Sequence, residues 1–133
     1  MKKNNIELEM PSKLENIKII RDFLRKYLEI EKIGKKSSLQ LISAVDELVT
    51  NVVEHAYKNK ENEDNKIKFL VNKKENKVYL TIEDFGTGFI KNENNEKDPD
   101  RGMGLKIAKG MVDEFKVVNK SIGTKIEIIK ELK

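Results

Sequence analysis

Four short strings, in a fixed order, hold the side chains of this chain best suited to chemistry. They are Asp46-Glu47-Leu48-Val49-Thr50-Asn51, Asp84-Phe85-Gly86-Thr87-Gly88, Gly102-Met103-Gly104-Leu105 and Gly123-Thr124. Glu47 and Asn51 stand four apart, so a helix puts a carboxylate and a carboxamide on one ridge, with His55 four further on. The amide oxygen is a neutral hard ligand for Mg²⁺, and the carboxylate can take a proton from an attacking hydroxyl. The competing reading is an ordinary solvated helix face, with His55 a hydrogen-bonded packing histidine. Asp84 falls where a strand runs out, and a carboxylate there could accept a hydrogen bond from the exocyclic amine of adenine, which guanine does not offer at that edge. Gly86 and Gly88 would let the backbone turn tightly and approach a ligand. Taken alone, the same string also fits a plain turn.

Gly102 and Gly104 lie just before a helical pattern, where backbone N–H groups form an anion site. Arg101 beside them could add a charge-assisted contact to a terminal phosphate; a solvated arginine at a helix entry is the alternative. Together the four strings suit a pocket that holds a nucleotide and moves its terminal phosphate. Other phosphate-binding patterns fail. Gly34-Lys35 has Glu29 where a Walker loop needs its first glycine, and Lys36 where it needs a hydroxyl. No strand–GxGxxG–helix unit exists. Asp84-Phe85-Gly86 also spells the magnesium motif of ordinary protein kinases, but the H-R-D-x-x-x-x-N catalytic loop and the V-A-I-K strand are missing.

The elements that must position these residues follow from periodicity. Ile6-Glu7-Leu8-Glu9-Met10 alternates as a strand that Pro11 ends. Ser12 and Glu15 form a capping-box pattern ahead of a helix to about Ile30, whose apolar stripe is Ile17, Ile20, Phe23, Leu24, Tyr27 and Leu28. Gly34 breaks the chain. Ser37 and Gln40 repeat the capping pattern and open a second helix to about Tyr57, with Leu41, Val45, Leu48, Val49, Val52 and Ala56 on its core face. Lys58–Asn65 reads as a polar surface loop. Ile67, Phe69 and Val71, then Val78, Leu80 and Ile82, alternate as a hairpin with one buried face. The polar stretch from about Lys91 to Asp100 reads as a mobile loop. Leu105, Ala108, Met111, Val112 and Phe115 predict a third helix, and strands near Lys116–Asn119 and Lys125–Ile129 flank a turn at Ser121–Thr124. This order predicts an α/β fold in one domain over residues 1–133, a two-layer sandwich with a mixed, mostly antiparallel sheet covered by helices on one face.

Length and composition agree with such a domain. The 133 residues suffice for a core, and the absence of cysteine removes disulfides, thiolate metal sites and cysteine catalysis. The 27 basic and 23 acidic residues give a net charge of +4, but lysine and glutamate alternate and aromatics are scarce, which argues against direct nucleic-acid binding. No apolar run is long enough for a signal peptide or a membrane span, so a cytoplasmic, soluble protein is expected.

With these pieces in order, the chain resembles the GHKL (Bergerat-fold) ATPase superfamily, and within it the bacterial anti-sigma-factor serine/threonine protein kinases. The matching N-box is Glu47-Leu48-Val49-Thr50-Asn51-Val52-Val53-Glu54-His55-Ala56-Tyr57, with the N-x-x-x-H-[AG]-Y ending typical of that branch. The opening strand and first helix fit as well. The resemblance implies the histidine-kinase-like ATPase fold and use of ATP with Mg²⁺. It implies Asn51 as the Mg²⁺ ligand and Glu47 as the general base acting on a serine hydroxyl of a protein substrate. Asp84, with Thr124 near it, would read the adenine, and Gly86 and Gly88 would shape the base pocket. Gly102 and Gly104 would lie along the phosphates under a lid formed by residues 90–101. The implied partners are an anti-anti-sigma factor of the STAS fold and a sigma factor, the implied assembly is a homodimer, and Arg21 matches an arginine of the partner-binding surface. The chain departs from the pattern in its short lid without a serine or threonine run, and in Arg101 directly preceding Gly102, where spore-type members interpose a serine. Two other readings are a nucleotide-dependent binding switch without kinase activity and a detached ATP-binding domain of a two-component histidine kinase. The latter needs a phosphoacceptor histidine, and the one histidine, His55, lies within the nucleotide helix itself.

Overall fold

A computed structural model describes residues 5–57, 62, 64–86 and 106–132. The sequence alternation of apolar and polar residues becomes five strands: β1 (Ile6–Pro11), β2 (Lys66–Lys74), β3 (Lys77–Asp84), β4 (Glu114–Asn119) and β5 (Thr124–Glu131). They form one sheet in the order β1-β2-β3-β5-β4, and every pairing is antiparallel. The expected mixed, mostly antiparallel sheet is therefore antiparallel throughout its described strands. Because side chains alternate across a strand, Phe69, Leu80, Ile82, Ile126 and Ile128 fall on one face and are buried, while their neighbours along each strand face away from the core.

Helices α1 (Leu14–Ile30) and α2 (Lys35–Asn51) cover that inner face. The α1 stripe predicted from spacing is the buried one, with Phe23 partly buried and meeting Phe69 edge to face at 6.1 Å and 87°. On α2 the predicted core face is buried in full, and Ala44 and Val53 join it. A short helix, α3, spans residues 106–110 and buries Ala108.

Local signals at the helix ends differ from expectation. The Ser12–Glu15 capping box does not form: Lys13 is the N-cap, without a side-chain cap. α2 starts at Lys35, with Gly34 rather than Ser37 at its N-cap. The left-handed residue closing the α1–α2 connection is Lys32, with φ 59°, whereas Gly34 has an ordinary φ of −60°. α3 stops before Met111 and Val112, and Phe115 lies on β4, where it pairs with Ile128. Met111, Val112 and Phe115 pack against the core as expected, so their burial pattern was right and their helical period was not. A five-residue apolar set followed by a β-branched run satisfies both periods, and the sheet edge captures its second half.

Candidate functional site

Antiparallel register brings the C-terminal ends of β1, β3 and β4 and the N-terminal ends of β2 and β5 to one end of the sheet. Pro11 pairs with Lys66, Ile67 with Asp84, Asp84 with Thr124, and Thr124 with Asn119. The C-terminal end of α2 reaches the same end. There the helix does not finish as an α-helix but passes into a π-helical turn, Val52–Ala56. π-turns are rare and concentrate at functional sites. This one puts the Ala56 carbonyl so near Gly86 that a Cβ on Gly86 would sit 2.0 Å from it. The close approach requires glycine at position 86.

Four polar side chains among the described residues are buried at this end, Ser12 being one of them. Asn51 is 5% exposed, Asp84 2% and Thr124 1%, and among the described residues neither Asn51 Nδ2 nor Thr124 Oγ1 has a hydrogen-bond partner. Buried polar atoms are ordinarily satisfied, and leaving one unpaired costs about 1–3 kcal/mol. A site that holds such groups open is prepared for a polar ligand. Asp84 Oδ1 accepts a hydrogen bond from the Gly86 amide at 3.0 Å. Burial pushes the Asp84 carboxyl up to about 6, against the lowering pull of the Gly86 and Thr124 amides and of Lys120, with Glu83 adding to the rise.

The turn that follows Asp84 is held from several sides. The Tyr57 hydroxyl accepts from the Phe85 amide at 2.9 Å and from the Lys66 amide at 3.2 Å, and donates to the Lys66 carbonyl. Lys120 reaches back from the β4–β5 turn to pair with Glu83 and lies 4.1 Å from the centre of the Phe85 ring. Gly123, in that turn, has φ 94°, and a Cβ there would meet the Asp84 carbonyl at 2.0 Å. Gly123 therefore supplies both the left-handed backbone and the room that brings Thr124 beside Asp84. Spacing alone did not single out Tyr57, Glu83 or Lys120. Tyr57 carried a signal as the last residue of the N-x-x-x-H-[AG]-Y ending; Glu83 and Lys120 carried none, because both read as ordinary alternating surface charge.

Glu47 is half-buried on α2, one turn before Asn51. Its neighbour Asp46 accepts from Arg21 Nε through both oxygens, at 3.0 and 3.2 Å, which ties α1 to α2. Arg21 is thus an inter-helix tie whose side chain is 35% exposed. His55 stands 3.8 Å from Glu54, within the π-turn. Ser12 is buried, its hydroxyl unpaired among the described residues, and lines a cleft of about 630 Å³ with Lys13, Leu14, Glu15, Val53, Glu54 and His55. Asn51, Asp84 and Thr124 do not line that cleft. Gly88, Arg101, Gly102, Gly104 and the expected lid at 90–101 lie outside the described residues, as does most of the 58–65 loop. Among the described residues no group of three His, Cys, Asp or Glu could hold a metal ion, and no helix is long and apolar enough to cross a membrane.

This arrangement can be set beside known proteins. Residues 10–130 match the histidine kinase-like ATPase domain. The chain belongs to that family. Its expected GHKL membership and fold therefore hold, and an ATPase domain implies ATP binding. Among curated proteins none is a significant sequence match. Three solved structures share the fold. The RsbU and RsbW domains of Rv1364c from Mycobacterium tuberculosis align with a TM-score of 0.72 at 18% identity, over 96% of this chain and 32% of that one. A chain of the SiaB-SiaC complex from Pseudomonas aeruginosa aligns with a TM-score of 0.72 at 14% identity, over 93% of this chain and 88% of that one. The histidine kinase domain of the blue-light activated kinase EL346 from Erythrobacter litoralis aligns with a TM-score of 0.60 at 18% identity, over 92% and 61%. This chain thus spans about a third of the first of these and most of the second.

Proposed function

We propose that this chain is an ATP- and Mg²⁺-dependent protein serine kinase that also acts as an anti-sigma factor, phosphorylating a STAS-domain anti-anti-sigma protein and sequestering a sigma factor as a cytoplasmic homodimer. The observation that carries the nucleotide part is the buried set at the sheet end: Asn51 Nδ2 and Thr124 Oγ1, both without a hydrogen-bond partner among the described residues, with the Asp84 carboxyl held between two backbone amides. Membership of the ATPase family supports it. The anti-sigma branch rests on the N-box with its His55-Ala56-Tyr57 ending, and the likeness to the RsbW-containing structure is in keeping with it.

The parts take the following roles. Asp84 accepts the exocyclic amine of the base while Thr124 Oγ1 gains the partner it lacks. Asn51 would hold Mg²⁺ through its amide oxygen, and the ion would supply positive charge for the phosphates. Bound ATP supplies the phosphoryl group, which passes to a serine oxygen of the partner protein as ADP leaves. Glu47 takes the proton from that serine hydroxyl. Arg101, Gly102 and Gly104 serve the phosphates, and Gly88 the base pocket. Arg21 contributes to the partner surface from its position over Asp46.

The test is phosphotransfer from Mg-[γ-³²P]ATP to a STAS-domain protein encoded beside this one. Label on serine is expected, and Glu47→Ala should lower its rate about 10²–10⁴-fold while leaving nucleotide binding in place. Unchanged transfer in Glu47→Ala would remove the proposed base. No transfer despite measured ATP binding would favour the nucleotide-dependent binding switch.

A further inference from the structure

Tyr57 is the first residue after the π-turn, and its backbone is extended, with φ −115° and ψ 134°. The extra residue of the π-turn releases the chain from the helix at the point where the ring lies along Gly86: its Cδ1 would be 2.9 Å from a Cβ placed there. The hydroxyl is fully used. Its single proton goes to the Lys66 carbonyl, and its oxygen accepts from the Lys66 and Phe85 amides. Two of these bonds join the first residue of β2; the third reaches across to the residue that follows Asp84. The β2–β3 register ends at the Ile67–Asp84 pair, and Tyr57 extends the tie between the two strands by one step with a side chain.

We propose that Tyr57 is a positioning residue for base recognition: its hydroxyl fixes the Phe85 amide to the start of β2, and so sets where the Asp84 carboxylate stands to meet an adenine. This rests on the nucleotide reading given above. The Gly86 amide bonds Asp84 Oδ1 at 3.0 Å, so a shift of the 85–86 backbone moves a donor that orients the carboxylate. Tyr57 acts through that backbone and contacts no ligand itself. A merely structural tyrosine would have another signature, and the fold supplies one. Tyr27 also bonds the backbone of β2 through its hydroxyl, accepting from the Lys73 amide at 2.9 Å, but at the far end of the sheet.

The pair makes a matched test with the full chain. Tyr57→Phe and Tyr27→Phe each delete one oxygen and keep the ring. Dissociation constants for Mg-ATP and Mg-GTP, and hydrogen exchange at the Phe85 amide, are measured for both variants and for the wild type. Tyr57→Phe should weaken ATP binding about tenfold, the equivalent of one or two lost hydrogen bonds. It should also narrow the preference for ATP over GTP and speed exchange at Phe85. Tyr27→Phe should leave affinity, preference and Phe85 exchange as they are. Wild-type affinity and preference in Tyr57→Phe, or equal losses in the two variants, would overturn the role of Tyr57 while leaving the nucleotide site standing. A wild type that binds neither nucleotide would overturn the nucleotide reading and this role with it.

Discussion

At the level of single residues, the central feature is a carboxyl made reluctant to ionise. Asp84 is raised from 3.8 to about 6, first by burial, with the amides of Gly86 and Thr124 and the Lys120 ammonium opposing. The folded state therefore holds its proton more tightly than the unfolded chain. The stability linked to this group is present in full below the unfolded value and is lost as pH rises through about 6, by an amount on the order of 3 kcal/mol. Thermal unfolding of the nucleotide-free protein, followed from about pH 4 to about pH 7, should show that decline, and Asp84→Asn should flatten it. Nucleotide binding should run the other way. An adenine amine donates best to the ionised carboxylate, so ATP affinity should fall as pH drops below about 6, and titration calorimetry across that range checks it. The place of Asp84 at a strand end before Gly86 was legible in the sequence. Its raised pKa was not, because it comes first from burial, which only the assembled sheet and the turns beside it create, with Thr124 and Lys120 opposing from far along the chain.

Elements position these residues by close backbone approach. Gly86 against the Ala56 carbonyl and Gly123 against the Asp84 carbonyl leave no space for a Cβ, and Gly123 is left-handed as well. Gly123→Ala should cost at least about 2 kcal/mol in denaturant unfolding, since strain and clash act together. By contrast Gly34→Ala meets no atom within 4 Å and has an ordinary φ, so it should change stability by no more than about 1 kcal/mol. The Arg21–Asp46 tie is also weak in energy, because both side chains are more than a third exposed. Arg21→Ala should shift stability by less than about 1 kcal/mol. A large loss of partner binding in that variant would then report on the surface rather than on folding. Helix faces and strand alternation were readable because apolar spacing repeats over many residues. The π-turn was not, since Val52 to Ala56 continue the apolar pattern of α2, and only contact with Gly86 and Tyr57 distinguishes them. The capping boxes at Ser12 and Ser37 failed for a related reason: chain direction out of β1 and out of the Lys32 turn decides where each helix starts, and it overrides a favourable side chain.

Across the whole molecule, an antiparallel sheet with helices on one face divides the protein into two ends. The core between them is continuous, with Phe69 fully buried at its centre, and Phe69→Ala should cost about 3–5 kcal/mol by calorimetry. One sheet end is a plain hairpin, where Lys74 pairs with Lys77; the other gathers Asn51, Asp84, Gly86 and Thr124. This division could be anticipated in outline from the order of strands and helices. The order β1-β2-β3-β5-β4 could not, because the swap of β4 and β5 depends on Gly123 folding the last hairpin back against β3. The most direct measurement of the central claim is an amide correlation spectrum of the labelled protein, titrated with Mg-ATP. Shifts at Asn51, Phe85, Gly86 and Thr124, with little change at Lys74–Lys77, are the expected result. An unchanged spectrum, or shifts confined to the far hairpin, would contradict the assignment of this end of the sheet to a nucleotide.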